Sequence, residues 1–142
     1  MPYSPDNMAE SFKFELVSPE RLLVSEEVES VIVPGKEGEM TVLARHMPVM
    51  TTMRPGLVTV KTTDGRTERY VVYGGFVDIL PDSCTLLAEF SVHENDLDRA
   101  DLGRRVQETR DAIPQAESPE HRTKLEEFLH QLVTLENAMI PA

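Results

Sequence analysis

Few side chains in this chain are suited to chemistry, and they are scattered. Cys84 is the only thiol, and His46, His93, His121 and His130 are the four imidazoles. A thiol nucleophile needs a base beside it and an acid to orient that base. Cys84, His46 and Asp78 supply those types, but nothing in their spacing places the three together. Ser83-Cys84-Thr85-Leu86-Leu87 reads as a strand, where a free Cys is a small core residue. No two histidines have the HxxxH spacing that puts two ligands on one helix face, and a lone Cys supplies neither a disulfide nor a cysteine zinc site. We therefore expect no catalytic residues and no metal site. Glu37-Gly38-Glu39 is different in kind: a tight Gly turn can push a carboxylate outward, to meet basic or polar groups.

The chain has 142 residues, 40% of them apolar, enough for one compact domain or a small domain with an appendage. The net charge of −11 disfavours nucleic acid as a partner, since phosphate neutralisation needs clustered Lys and Arg. It also disfavours an anionic lipid surface. Apolar runs such as Val31-Ile32-Val33 fall far short of the ~20 residues that span a bilayer. The N-terminus lacks the basic and apolar regions of a secretory signal. Pro2, Pro5 and Asp6 suggest a disordered leader over residues 1–10. The single Cys suits a reducing compartment.

Residues 11–92 carry β patterns. Phe12, Phe14 and Leu16 alternate with Lys13 and Glu15. Leu22–Val24 and Val28–Val33 read as short strands separated by Ser25-Glu26-Glu27, and Met40–Leu43 follows the Gly35–Gly38 turn. Leu57–Val60 and Tyr70–Tyr73 flank Asp64-Gly65, which predicts a type I′ hairpin. Phe76–Leu80 and Cys84–Phe90 form another hairpin across Pro81-Asp82. Met40, Met47, Met50 and Met53 concentrate in one stretch and suit both core and an adaptable interface. Such regular short strands imply a sandwich or flattened barrel.

Residues 93–142 change period. Asn95 or Asp96 can cap a helix carrying Leu97, Leu102, Val106 and Ile113, which Pro114 ends. Ser118-Pro119-Glu120 restarts a helix, in which Leu125, Phe128, Leu132, Leu135 and Met139 form one apolar seam. Two antiparallel helices result, and so short a hairpin must lie on something else to be stable.

Taken in order, several motifs resemble the epsilon subunit family of F-type ATP synthases (called delta in mitochondria). They are Val17-Ser18-Pro19-Glu20-Arg21, Pro34-Gly35-x-Glu37-Gly38-Glu39, Val42-Leu43-x-x-His46-x-Pro48, Pro55-Gly56, Gly74-Gly75-Phe76 and Leu86-Leu87-Ala88-Glu89. The resemblance runs from Phe12 to Phe90 and continues more loosely through the tail. It implies a β-sandwich of about ten strands followed by a C-terminal antiparallel α-helical hairpin. It implies a non-catalytic rotor subunit at the foot of the central stalk, bound to the gamma subunit and the c-ring, coupling proton flow to ATP synthesis. Glu37, Gly38 and Glu39 then correspond to the c-ring contact, and Ser18, His46 and Met47 to the gamma contact.

Some members bind ATP at the hairpin through an Ile/Leu-Asp-x-x-Arg-Ala pattern. In Asn95-Asp96-Leu97-Asp98-Arg99-Ala100-Asp101, Asp96 and Arg99 fit, but Asn95 replaces the aliphatic residue. Taking Leu97-Asp98 instead puts Asp101 where Arg belongs. In some relatives the extended hairpin inhibits hydrolysis, a basic second helix meeting acidic segments of the alpha/beta catalytic hexamer. Here that helix sets Arg122 and Lys124 against Glu120, Glu126, Glu127 and Glu136. The alternative is a free-standing ATP-sensing domain, and a hydrolase is the third reading. Soluble yet held by protein contacts, the rotor subunit would fit a bacterial plasma membrane or a mitochondrial inner membrane; the lack of a basic, Ser-rich transit peptide favours the cytoplasmic face of a bacterial inner membrane.

Overall fold

The structure, a computed structural model, describes residues 10–139, so most of the expected leader and the last three residues lie outside it. Nine strands precede two helices: β1 (Phe12–Val17), β2 (Leu22–Gly35), β3 (Gly38–Leu43), β4 (Val49–Met53), β5 (Gly56–Thr62), β6 (Thr67–Val72), β7 (Gly75–Leu80), β8 (Ser83–Ala88) and β9 (Ser91–His93), then α1 (Arg99–Ala112) and α2 (Pro119–Ala138). The strands form one sheet folded into a sandwich, in the order β1-β8-β7-β4-β2-β5-β6-β9, with β3 also on β2 and β1 closing back onto β2. All pairings are antiparallel except β1 with β8.

The expected pair Leu22–Val24 and Val28–Val33 is one continuous strand of 14 residues. Ser25-Glu26-Glu27 do not interrupt it, because Glu27, Glu26 and Ser25 pair with Lys13, Phe14 and Glu15. Being long, β2 serves both layers: its first half pairs with β1, its second with β3 and β5. The Asp64-Gly65 turn also differs from expectation. Gly65 has φ +88°, but Asp64 is not in the left-handed region, so the turn is not type I′. The Thr62 N–H donates to the Arg66 carbonyl and the Arg66 N–H to the Thr62 hydroxyl, giving a three-residue loop with Gly in the left-handed position. The Thr62 hydroxyl and the Arg66 guanidinium both bond Asp64 and hold its carboxyl below the usual range.

Phe14, Leu16, Val31, Val33, Val58, Val60, Val72, Val77, Ile79, Cys84 and Leu86 fill the sandwich core, all fully buried. A second core lies between sheet and helices, built from Val71, Tyr73, Leu102, Val106, Leu132 and Leu135. Strands β5 and β6 divide the two: Val58 and Val72 face the sandwich, while Leu57 and Val71 face the helices. The hairpin thus docks on a sheet face that would otherwise be exposed and apolar, as its short length requires. Ser118 caps α2, its hydroxyl accepting from the His121 N–H. Helix α1 is capped by Asp98, not Asn95 or Asp96, because residues Glu94–Asp96 form a separate single turn first.

Candidate interaction surface

The outer face of β1, β8, β7 and β4 is the site that packing leaves unexplained. Cross-strand pairing lines up Leu22, Val17, Leu87, Phe76 and Thr52 in one row. The next row holds Glu15, Thr85, Asp78 and Met50, and the one beyond it Lys13, Ser83 and Leu80. Phe76 is 56% exposed, Leu87 49%, Leu22 52% and Met50 72%. Strands lie about 4.8 Å apart, so the apolar part of the row, from Leu22 to Phe76, spans on the order of 14 Å. Sequence reasoning missed Leu22, Phe76 and Leu87. The signal was present: in Ser83-Cys84-Thr85-Leu86-Leu87, clean alternation breaks at Leu87, an outward position that is apolar.

The expected site residues fall around this face. Ser18 follows Val17 at the end of β1; its hydroxyl closes the β1–β2 turn, donating to the Arg21 carbonyl at 3.2 Å and accepting from the Arg21 N–H. His46 and Met47 lie at the opposite end of the strands, before β4 and near Pro81, with Met47 77% exposed. The His46 Nδ1–H donates to the Met47 carbonyl at 2.7 Å, leaving Nε2 free to accept. From Phe76 to Leu80 the strand runs about 13 Å, so a partner touching both Ser18 and His46 must lie along the strands. Met50 and Met47 face outward, while Met53 is buried and Met40 packs on the core.

Glu37, Gly38 and Glu39 form the tip of the β2–β3 hairpin, where Gly35 pairs with Gly38. Gly38 has φ +143°, in the region that favours glycine, and a side chain there would meet open space. Glu37 and Glu39 are exposed, and the Lys36 N–H donates to the Thr52 carbonyl at 2.9 Å, tying the tip to β4. The tip therefore projects two carboxylates from a braced turn.

Cys84 and Asp78 point to opposite sides of the sheet: Cys84 pairs with Ile79 on the inner face, Asp78 with Thr85 on the outer. Burial, and then the charge of Asp78, push the Cys84 thiol up to about 12. No nucleophile is assembled there. Among the described residues no cluster of His, Cys, Asp or Glu could hold a metal ion.

Arg99 opens α1, and its Nη2 donates to the Met139 carbonyl at 2.5 Å, which ties the start of α1 to the end of α2. A cleft of about 350 Å³ beside it is lined by Leu57, Arg69, Glu94, Asn95, Arg99 and Met139. Asp96 is exposed on the preceding turn. The guanidinium of Arg99 thus places one of its donors on a helix end, where a cation suits the dipole.

A sandwich with an exposed apolar face, a braced acidic tip and a docked helical hairpin has the features of a contact-making subunit. Known proteins agree. Residues 11–94 match the family model described as ATP synthase, Delta/Epsilon chain, beta-sandwich domain. The chain is 64% identical over 135 residues to the ATP synthase epsilon chain of Mesorhizobium japonicum and 56% identical to that of Brucella anthropi, covering 95% of this chain and all of each relative. The fold is shared with a chain in a mitochondrial ATP synthase structure from Euglena gracilis (TM-score 0.73, 22% identity, 99% of this chain and 96% of that one). It is also shared with one in a Tetrahymena thermophila mitochondrial ATP synthase structure (TM-score 0.66, 12% identity, 91% and 96%). The chain belongs to the ATP synthase delta/epsilon chain family.

Proposed function

We propose that this chain is an accessory subunit of the central stalk of an F-type ATP synthase and does no bond chemistry itself. Its outer sheet face binds the gamma subunit, with Ser18, His46 and Met47 at the two ends and Phe76, Leu87 and Met50 between them. The Glu37-Gly38-Glu39 tip meets the polar loops of the c-ring. Turning with both, the subunit helps link ion flow to ATP synthesis. Strands β1 to β9 are the docking part, and helices α1 and α2 the hairpin. Among the described residues no helix is long and apolar enough to cross a membrane. Protein contacts then hold the chain at the cytoplasmic face of a bacterial inner membrane.

The observation that carries this reading is the row Leu22–Val17–Leu87–Phe76, apolar and exposed on a sheet whose other side is fully packed. An Asp at Phe76 or Leu87 faces solvent in the free chain, so the fold tolerates it, yet it is desolvated against a partner. Co-purification with gamma should fall at least about thirtyfold for Phe76→Asp, the loss of one interface hot spot, with the melting temperature unchanged. Undiminished binding in both variants would remove the face from the interface. Glu39→Lys should weaken c-ring association while leaving gamma binding intact.

A further inference from the structure

We propose that His93 is a proton-operated latch at the joint between the strands and the helical hairpin. This goes beyond the stalk reading and does not depend on it. The ring stands between two partners with opposite needs. Its Nδ1 accepts from the Asn95 backbone N–H at 3.1 Å and so closes the single turn Glu94–Asp96 that feeds α1. An N–H donor can be met only by a lone pair, so Nδ1 carries no proton; in the neutral ring the proton sits on Nε2. Nε2 donates it to Glu68 Oε2 at 2.5 Å.

Neutral imidazole satisfies both partners, and imidazolium does not. Once Nδ1 is protonated, two N–H groups face each other and the turn loses its cap. Glu68 on β6 lies against Nε2. Arg66 reaches Glu68 at 3.4 Å and is shared with Glu26 and Asp64. Tyr70 presents its ring edge-on at 5.3 Å. From the turn itself Glu94 holds Arg69 at 3.6 Å; Asp96 and then Arg99 lie beyond. Protonation therefore keeps the tie to β6 while the turn Glu94–Asp96 loses its cap.

The test is a titration of the full chain, labelled with ¹⁵N, from about pH 8 to about pH 5, following ring and backbone signals by NMR. The Asn95 amide should shift with the same midpoint as the His93 ring, distinct from those of His46, His121 and His130. Its exchange protection, corrected for the intrinsic pH dependence, should fall about five- to tenfold, the loss of one hydrogen bond. His93→Asn keeps an acceptor for the cap without titrating, so the Asn95 amide should become indifferent to pH. An Asn95 amide that stays put while His93 titrates overturns the latch, and that measurement needs no variant. A His93 that remains neutral down to pH 5 overturns it equally.

Discussion

The guanidinium of Arg105 lies 4.3 Å from the centre of the Tyr73 ring and 4.7 Å from that of Phe90, while its Nε donates to Asp101 at 3.1 Å. One side chain of α1 is thus clasped between two aromatic rings of the sandwich and an acid of its own helix. Arg105→Ala removes both the cation and the stem that covers Tyr73, and should weaken hairpin docking by about 1–2 kcal/mol. Faster hydrogen exchange in α1 and α2, with β1 to β8 unchanged, is the expected reading; uniform loss across the chain would contradict it. Gly75 is constrained more severely. A Cβ there would lie 2.1 Å from the Leu87 carbonyl oxygen, at φ +133°. Gly75→Ala should therefore cost at least about 3 kcal/mol in denaturant unfolding, against about 1 for Gly65→Ala, where the space is open. The Gly74-Gly75 pair was visible in the sequence, but its reason was not, because the close approach depends on which strand β7 pairs with. Cys84 was fully legible as a core thiol. Its ordinary value is 9.0 and the folded value about 12. Between these the unfolded chain releases a proton that the folded chain keeps, so stability falls as pH rises through that window. Below it the group adds no pH dependence. Wild type should lose more stability than Cys84→Ala between about pH 8 and about pH 10, compared by urea midpoints.

Periodicity reveals an element when one of its faces is buried, and this decided which elements could be read. The seam of α2 was legible because four of its five residues join the core between helices and sheet, with Leu132 and Leu135 buried and Phe128 and Met139 half-buried beside them. β1 was equally legible, with Phe12, Phe14 and Leu16 buried in strict alternation. The continuity of β2 was not, since Ser25-Glu26-Glu27 looks like a turn until β1 supplies its pairing. β9 was missed because three residues carry no period, and only the pairing of His93, Val92 and Ser91 with Tyr70, Val71 and Val72 defines it. The outer row was missed for a related reason: its residues come from separate strands and become neighbours only through register. Leu132 tests the seam. It is fully buried between helix and sheet. Leu132→Ala should cost about 2–5 kcal/mol, whereas Glu127→Ala on the exposed side of the same helix should change stability by less than about 0.5. Equal effects would mean that the hairpin is not held by this core.

For the molecule as a whole, the question is whether the hairpin leaves its seat. Undocking would return Val71, Tyr73, Leu102, Val106, Leu132 and Leu135 to water. At about 1.5–3 kcal/mol for each large apolar side chain, the cost is on the order of 10 kcal/mol, before the Arg105 clasp is counted. Any partner that captured the extended helices would have to supply that much. The second helix is poorly equipped to attract an acidic partner. It sets Arg122 and Lys124 against Glu120, Glu126, Glu127 and Glu136, in a chain whose net charge is −11. Like charges across such a contact repel, so the electrostatic term adds to the cost of release instead of offsetting it. Both terms favour the docked state, and the hairpin should stay on the sheet while the rotor turns. Added at saturating amounts to a catalytic core that lacks it, the full chain should leave the rate of ATP hydrolysis unchanged. Reversing charge with Glu126→Lys and Glu127→Lys removes the repulsion but not the apolar cost, so this variant should not become a brake either. If the variant slows hydrolysis and the wild type does not, charge alone was the barrier and the apolar seal is weaker than its burial indicates. If the wild type itself slows hydrolysis, the docked state is not the working one.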